Sequence, residues 1–279
     1  MNARFVIVCV AMLVVFASAA SYGKPPAAAA PSKDVDELEM QVAAMTKLHD
    51  LDLTASQLKQ LKALAAQVEP AKAPAAGLST DAYKTALTAL RDALAGDDDD
   101  KIDAAQDRVD SLREHAKLED VPDPEITDSA RKQASAAASL LTATQIASYI
   151  AANEDDVSDP LEEMTDALDQ LADNPGSDEY ASIRSELISE VAPLVAGLDK
   201  SAEEPIAKKV GEWLDAAHAG GPSKLESDRA SYERSARQIV GKLDPYHVLR
   251  NWMQREMATL LSNPALPAAI DRLIPNAGE

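Results

Sequence analysis

The chain contains one cysteine and two phenylalanines in 279 residues, and Phe5, Cys9 and Phe16 all fall in its first 16 positions. Beyond them no disulfide can form and no thiol nucleophile exists. A chain of this length can bury enough apolar surface to fold without cross-links. Positive charge is also scarce, with 27 Lys and Arg against 47 Asp and Glu, a net charge of -20. That balance excludes nucleic acid as a main partner, because a phosphate backbone needs a basic surface. It also disfavours an anionic membrane surface. The ten glycines build no phosphate-cradling loop, and no G-x-S-x-G elbow is present. The four histidines, His49, His115, His218 and His247, are each isolated. β-Branched and aromatic residues are sparse, and no segment alternates as a strand would.

The first 20 residues read as a secretory leader. Arg4 gives a positive start, FVIVCVAMLVVFA is the apolar stretch, and Ala17-Ser18-Ala19-Ala20 offers small residues for cleavage. The apolar stretch is shorter than the roughly 20 residues of a membrane span. No cysteine marks a lipid-attachment site. SYGKPPAAAAPSK, residues 21–33, is a Pro/Ala-rich tether. The expectation is an exported protein, periplasmic or extracellular, with no membrane contact after cleavage. Arg4 is the only charge in the leader, so the remaining 259 residues carry -21.

Helical periodicity dominates the rest. Val35, Leu38, Val42 and Met45 recur at three- and four-residue steps and share one face. Ile102, Ala105, Val109, Leu112 and Ala116 form a second stripe, and Ile206, Val210, Trp213, Leu214 and Ala217 a third. Val248, Leu249, Trp252, Met253, Leu260 and Leu261 give a broad apolar face near the end. Alanine is abundant; it costs least in a helix. The pattern predicts an all-α multi-helix bundle of about ten to twelve helices. One helical region covers 34–153 and a second 154–279, packed on the first. Asp159-Pro160 and Asp244-Pro245 read as capped helix starts with Pro in the first turn. Ser201 with Glu204 reads as a looser cap. Trp213, Tyr232, Tyr246 and Trp252 are expected in the core.

The charge is unevenly spread. Residues 92–125 hold 13 acids and 4 bases, and residues 151–179 hold 11 acids and no base. Residues 222–255 hold seven bases against four acids. The basic segment can therefore meet an acidic one, within the chain or between copies.

One phrase occurs twice. Leu53-Thr54-Ala55-Ser56-Gln57 and Leu141-Thr142-Ala143-Thr144-Gln145 both read Leu-Thr-x-x-Gln. With Thr54 as N-cap, its hydroxyl can accept from the Gln57 amide while the Gln57 side chain reaches back to the Thr54 amide. Leu53 and Leu58 then stand where a hydrophobic staple forms. Thr142, Gln145, Leu141 and Ile146 take the same roles. As chemistry, the phrase starts a helix.

Two such phrases in a helical chain with a leader resemble the LTxxQ-motif family of extracytoplasmic proteins. That family includes Spy-type envelope-stress chaperones and heavy-metal-responsive relatives. The resemblance covers residues 35–153. It implies a small helical envelope protein, often a homodimer, that holds protein clients or senses stress or metal. The strong negative charge departs from the basic and apolar concave surface of the chaperone type.

No catalytic constellation is found, and no cofactor is implied. His115 with Glu119, and Asp215 with His218, are spaced to share a helix face, but zinc usually needs a third protein ligand. Asp97 to Asp100 lacks the glycine of a calcium loop and reads as acids at a helix start. The reading is a non-catalytic exported helical protein, an LTxxQ-type envelope accessory or chaperone-like binding protein. The alternatives are an interaction module with one dedicated partner, or a metal-responsive envelope protein.

Overall fold

The computed structural model describes residues 33–73, 77–118, 122–153, 159–174, 176–241 and 243–277. Residues 1–32, which hold the expected leader and all but the last residue of the expected tether, lie outside them. The described residues form twelve helices and no strand. They are α1 (Lys33–Asp50), α2 (Ala55–Ala65), α3 (Asp81–Gly96), α4 (Asp99–Ala116), α5 (Asp128–Ala138) and α6 (Ala143–Ala152). Then come α7 (Pro160–Asp173), α8 (Ser177–Ala196), α9 (Lys200–Gly220), α10 (Pro222–Val240), α11 (Pro245–Ser262) and α12 (Leu266–Leu273). The chain is all-α, as its periodicity predicts.

Two cores form. The second is simple in sequence: α7, α8, α9 and α10 bury Met164, Leu168, Val191, Val210, Leu214 and Ala236 among themselves. The first combines α1 to α6 with the last two helices. Met45, Leu61, Leu87 and Leu90 meet Met257, Leu260, Leu266 and Ile270 there. So α11 and α12 return past the whole second core to close the first.

The return is fixed by a short turn. Asn263 donates to the Met40 carbonyl at 2.9 Å and accepts from the Ala265 amide at 2.8 Å. The Ser262 hydroxyl accepts from the Thr127 amide at 3.0 Å. The Gln254 side chain donates to Ser135 at 3.0 Å. Together these contacts show α11 running antiparallel to α5. Ala130, Ala134 and Ala137 of α5 are fully buried. With only a methyl group at each position, helix axes can approach closely.

That geometry explains one departure from expectation. Trp213 and Trp252 are buried, but Tyr246 is 70% exposed. It sits in the first turn of α11, and α5 ends at Ala138 before reaching that level. A second departure is a cap. Asp199, not Ser201, opens α9; its carboxylate accepts from the Ser201 amide at 2.9 Å and hydroxyl at 2.6 Å. Asp199 takes the N-cap two residues earlier, so Ser201 falls inside the helix. Asp159 and Asp244 do cap α7 and α11, each followed by proline.

The basic segment touches the acidic one inside the molecule. Arg229 of α10 pairs with both carboxylate oxygens of Asp169 on α7. A buried ionic cluster joins three helices of the first core. Glu39 of α1 accepts from Tyr83 of α3 and from Arg113 of α4 at 3.2 Å, and Arg113 also donates to the Tyr83 oxygen at 3.0 Å. Glu39 is 5% exposed and Arg113 8%. Burial raises the Glu39 pKa despite the Tyr83 hydrogen bond and the Arg113 charge, which both oppose the shift.

Removing Glu39 would take away the buried carboxylate that accepts from both Tyr83 and Arg113. Glu39→Ala is expected to cost about 3–5 kcal/mol, and Tyr83→Phe about 1–2 kcal/mol through one lost hydrogen bond. Urea unfolding of the two variants checks the order; equal small losses would mean that the cluster contributes little.

Candidate functional site: the paired motifs and the carboxylate-lined cleft

Both LTxxQ phrases stand at helix starts. Thr54 caps α2 and Thr142 caps α6, each with a complete capping box. The Gln57 amide donates to the Thr54 hydroxyl at 3.3 Å, and the Thr54 amide to Gln57 Oε1 at 2.9 Å. The corresponding distances at Thr142 and Gln145 are 3.2 and 2.9 Å. Leu53, Leu58 and Leu141 are buried in the first core, with Ile146 packed against it.

The structure adds what spacing alone does not contain: the two motifs face each other. Gln57 Nε2 donates to Gln145 Oε1 at 2.9 Å and to the Leu140 carbonyl at 2.7 Å. Gln145 Nε2 donates back to Gln57 Oε1 at 3.1 Å and to the Asp52 carbonyl at 2.5 Å. Leu140 and Asp52 each lie two residues before their own threonine, so the exchange is reciprocal. An amide nitrogen has two donors, and both are used on each glutamine. A groove of about 500 Å³ runs beside Thr54, Gln57, Thr142 and Thr144. Its glutamine donors are already engaged, so the motif acts as an internal clasp.

Of the two candidate metal-ligand pairs, only Asp215 with His218 lies wholly within the described residues. Glu119 lies outside the described residues. His115 is exposed, with Nδ1 2.5 Å from the Ser111 carbonyl. Asp215 accepts from Tyr180 and, at 2.8 Å, from Arg184. Those bonds and the Arg184 charge hold its carboxyl below the usual range. His218 stacks on the Tyr180 ring with centroids 3.9 Å apart. Among the described residues, no group of three or more His, Cys, Asp or Glu side chains could hold a metal ion.

The acidic run at 97–100 turns the corner between α3 and α4. Asp97 takes left-handed backbone, φ 53°, as the C-cap of α3, and Asp98 caps α4. His49, at the end of α1, reaches this corner: Nε2 lies 3.2 Å from Asp97 and Nδ1 3.7 Å from Asp50. Its pKa is raised, first by the hydrogen bond to Asp50 and then by the charges of Asp50, Asp97 and Asp99, against the effect of burial.

A cavity of about 1000 Å³ opens between the two cores. The helices α8 and α9 form one side. Trp252, Arg255 and Glu256 of α11, Arg131 of α5 and the loop at 123–126 form the other. Seven carboxylates and three cations line it. Most of the cations are committed. Arg131 and Arg255 both reach Glu203, at 3.6 and 3.4 Å, and Lys200 lies 3.7 Å from Glu125. Asp123 and Glu256 share Lys47 at 3.1 and 3.0 Å. Burial disfavours the Lys47 charge, but these two carboxylates outweigh it and raise its pKa. Glu256 also accepts from the Tyr149 hydroxyl at 3.1 Å, and Tyr149 packs on Trp252. Glu163, Glu190 and Glu204 have no basic partner among the described residues.

Sequence reasoning did not find this cleft. Its walls come from α5, α7, α8, α9 and α11, and no spacing in the chain brings them together. The one available signal was the acid-only run at 151–179, which contains Glu163 but not its neighbour Glu190. No family model, no curated protein and no solved structure matches the chain.

Thr54→Ala should cost about 1 kcal/mol as a lost cap. In a double-mutant cycle, Gln57→Ala and Gln145→Ala should couple by about 0.5–1 kcal/mol, because each removes a bond the other needs; strict additivity in urea unfolding would mean two independent caps. His49 has a raised folded-state pKa, so its contribution is full below its unfolded pKa and is lost as pH rises through the folded value. The stability gap between the native chain and His49→Gln should be widest near pH 5.5 and shrink on the alkaline side, read from unfolding midpoints.

Proposed function

We propose that this chain is a non-catalytic exported binding protein, an LTxxQ-type envelope accessory that engages a protein partner through a basic segment docked in the inter-core cleft. The observation that carries the reading is the charge imbalance of that cleft: seven carboxylates face three cations, and three of the carboxylates have no basic partner among the described residues. A cavity of this size accepts several residues of an extended peptide. Complementary charge would speed encounter and select basic partners over acidic ones.

Holding of unfolded clients has less support. The apolar faces are consumed in the two cores, and Tyr246 is the large hydrophobic side chain that stands exposed among the described residues. A client cradle would need a contiguous apolar patch. The leader at 1–20 supports export, and no helix among the described residues is long and apolar enough to cross a membrane. A metal-responsive role finds no three-ligand cluster among those residues to act through.

The test is fluorescence anisotropy with a labelled lysine-rich peptide and the full chain. Saturable binding that weakens with salt is expected, and Glu204→Lys should reduce it at least several-fold while leaving the unfolding midpoint near native. Binding indifferent to that reversal would move the partner away from the cleft. Suppressed aggregation of an unrelated unfolding protein at substoichiometric amounts would favour the chaperone reading instead.

A further inference from the structure

Arg131 of α5 and Arg255 of α11 line the cleft and both reach the turn between α8 and α9. Arg255 Nη1 donates to the Gly197 carbonyl at 3.0 Å and to Glu203 at 3.4 Å, and Arg131 Nη1 donates to the Leu198 carbonyl at 3.4 Å. Arg131 Nη2 stops 3.6 Å from the same Glu203 oxygen. Each guanidinium carries five N–H donors. These three bonds therefore leave most of the pair's donors without a protein acceptor among the described residues. Arg131 Nε is fully buried and has no hydrogen-bond partner there.

Both side chains are withdrawn from water, Arg131 to 12% exposure and Arg255 to 18%. A buried charge with too few hydrogen bonds is unfavourable. The strain on charge shows at Arg255: burial lowers its pKa, the Glu203 charge opposes the shift, and the Arg131 charge adds to it. Glu256, next on α11, is itself held by Lys47 and Tyr149. One carboxylate, Glu203, thus serves two guanidinium groups, and this end of the cleft is one negative charge short. The remainder of the cleft has the opposite excess, with Glu163, Glu190 and Glu204 on its wall.

We infer that Arg131 and Arg255 seat the terminal carboxylate of the partner's basic segment, in the place that Glu203 now half fills. The inference rests on the cleft being the docking face proposed above. A second carboxylate is what the pair lacks, because guanidinium forks take carboxylate oxygens two at a time. The surroundings select how it is carried. A free anion would meet the unpartnered glutamates of the same cavity, whereas a carboxylate ending a lysine-bearing chain brings its own compensating charge. Glu203 is 31% exposed, so it can turn to solvent as the carboxylate enters. The seat gives the docked segment a direction, with its end at the α8–α9 turn and its cations on the carboxylates beyond.

Calorimetry of the full chain with N-acetylated tetralysine tests this, as the free acid and as the C-terminal amide. Charge alone favours the amide, which brings no negative charge into an acidic cleft. The seat predicts the reverse: the free acid should bind about tenfold tighter, the worth of one charge-assisted hydrogen bond. Arg131→Gln and Arg255→Gln should each remove that preference, and Arg255→Lys, which keeps the charge but not the fork, should shrink it. Glu203→Gln should widen it by taking away the competing carboxylate, and this variant decides even if an arginine variant fails to fold. Glu204→Gln should weaken both peptides and leave their ratio unchanged. An amide that binds the native chain as tightly as the free acid, or a preference that survives both arginine-to-glutamine changes, overturns the seat and leaves the docking face standing. Absence of binding by either peptide overturns both. Displacement of the free acid by inorganic phosphate at a lower concentration than by acetate overturns the assignment to a carboxylate.

Discussion

The antiparallel contact of α11 with α5 is the packing on which the rest of the molecule depends. One side of α11 presents Met253, Met257, Leu260 and Leu261 to the first core. Trp252, Arg255 and Glu256 lie on the wall of the cleft. The same helix therefore completes a core and lines the cavity. Its approach is close because α5 offers alanines, and its register is held by Ser262, Asn263 and Gln254. A larger residue at Ala134 would push α11 outward and disturb core and cleft together, since interiors at this density have no slack.

Charge is handled in two ways in this chain. Deep in the first core, Glu39 and Arg113 are buried and bonded to each other and to Tyr83. There the ionic groups set which helices meet, and the surrounding protein leaves no space for a ligand. In the cleft the carboxylates outnumber the cations and remain open to solvent. Screening and hydration make such an excess tolerable. The remaining imbalance is a surface property that a basic partner can answer. The exposed Arg229–Asp169 pair shows the same attraction already satisfied between α10 and α7.

The LTxxQ phrases join these levels. Threonine and glutamine three apart satisfy the exposed amides at the start of a helix, which any capping box does. Here the glutamines go further and bond each other, with the remaining donors taken by the carbonyls two residues before each threonine. The start of α2 is thereby fixed against the start of α6, 88 residues away in sequence. A residue that looks local in the chain serves a long-range contact, and this explains why glutamine, with an acceptor and two donors, occupies both positions.

Local patterns carried much of this structure. The stripe from Val35 to Met45 is buried throughout, the apolar face of α11 is core, and Thr54, Thr142, Asp159 and Asp244 cap helices, because helix period and capping depend on residues within one or two turns. Where neighbours on other helices decide, the sequence is silent. Tyr246 lies in phase with Met253 yet stands exposed, since α5 stops short of it. Glu163 and Glu190 line one cleft only because α7 packs on α8. The return of α11 and α12 to the first core depends on contacts across more than a hundred residues. Composition and short-range periodicity thus determined an acidic, all-helical chain with two capped motifs. The pairing of those motifs and the cleft with its uncompensated carboxylates were decided by tertiary packing, because their energies arise between side chains that no local rule places side by side.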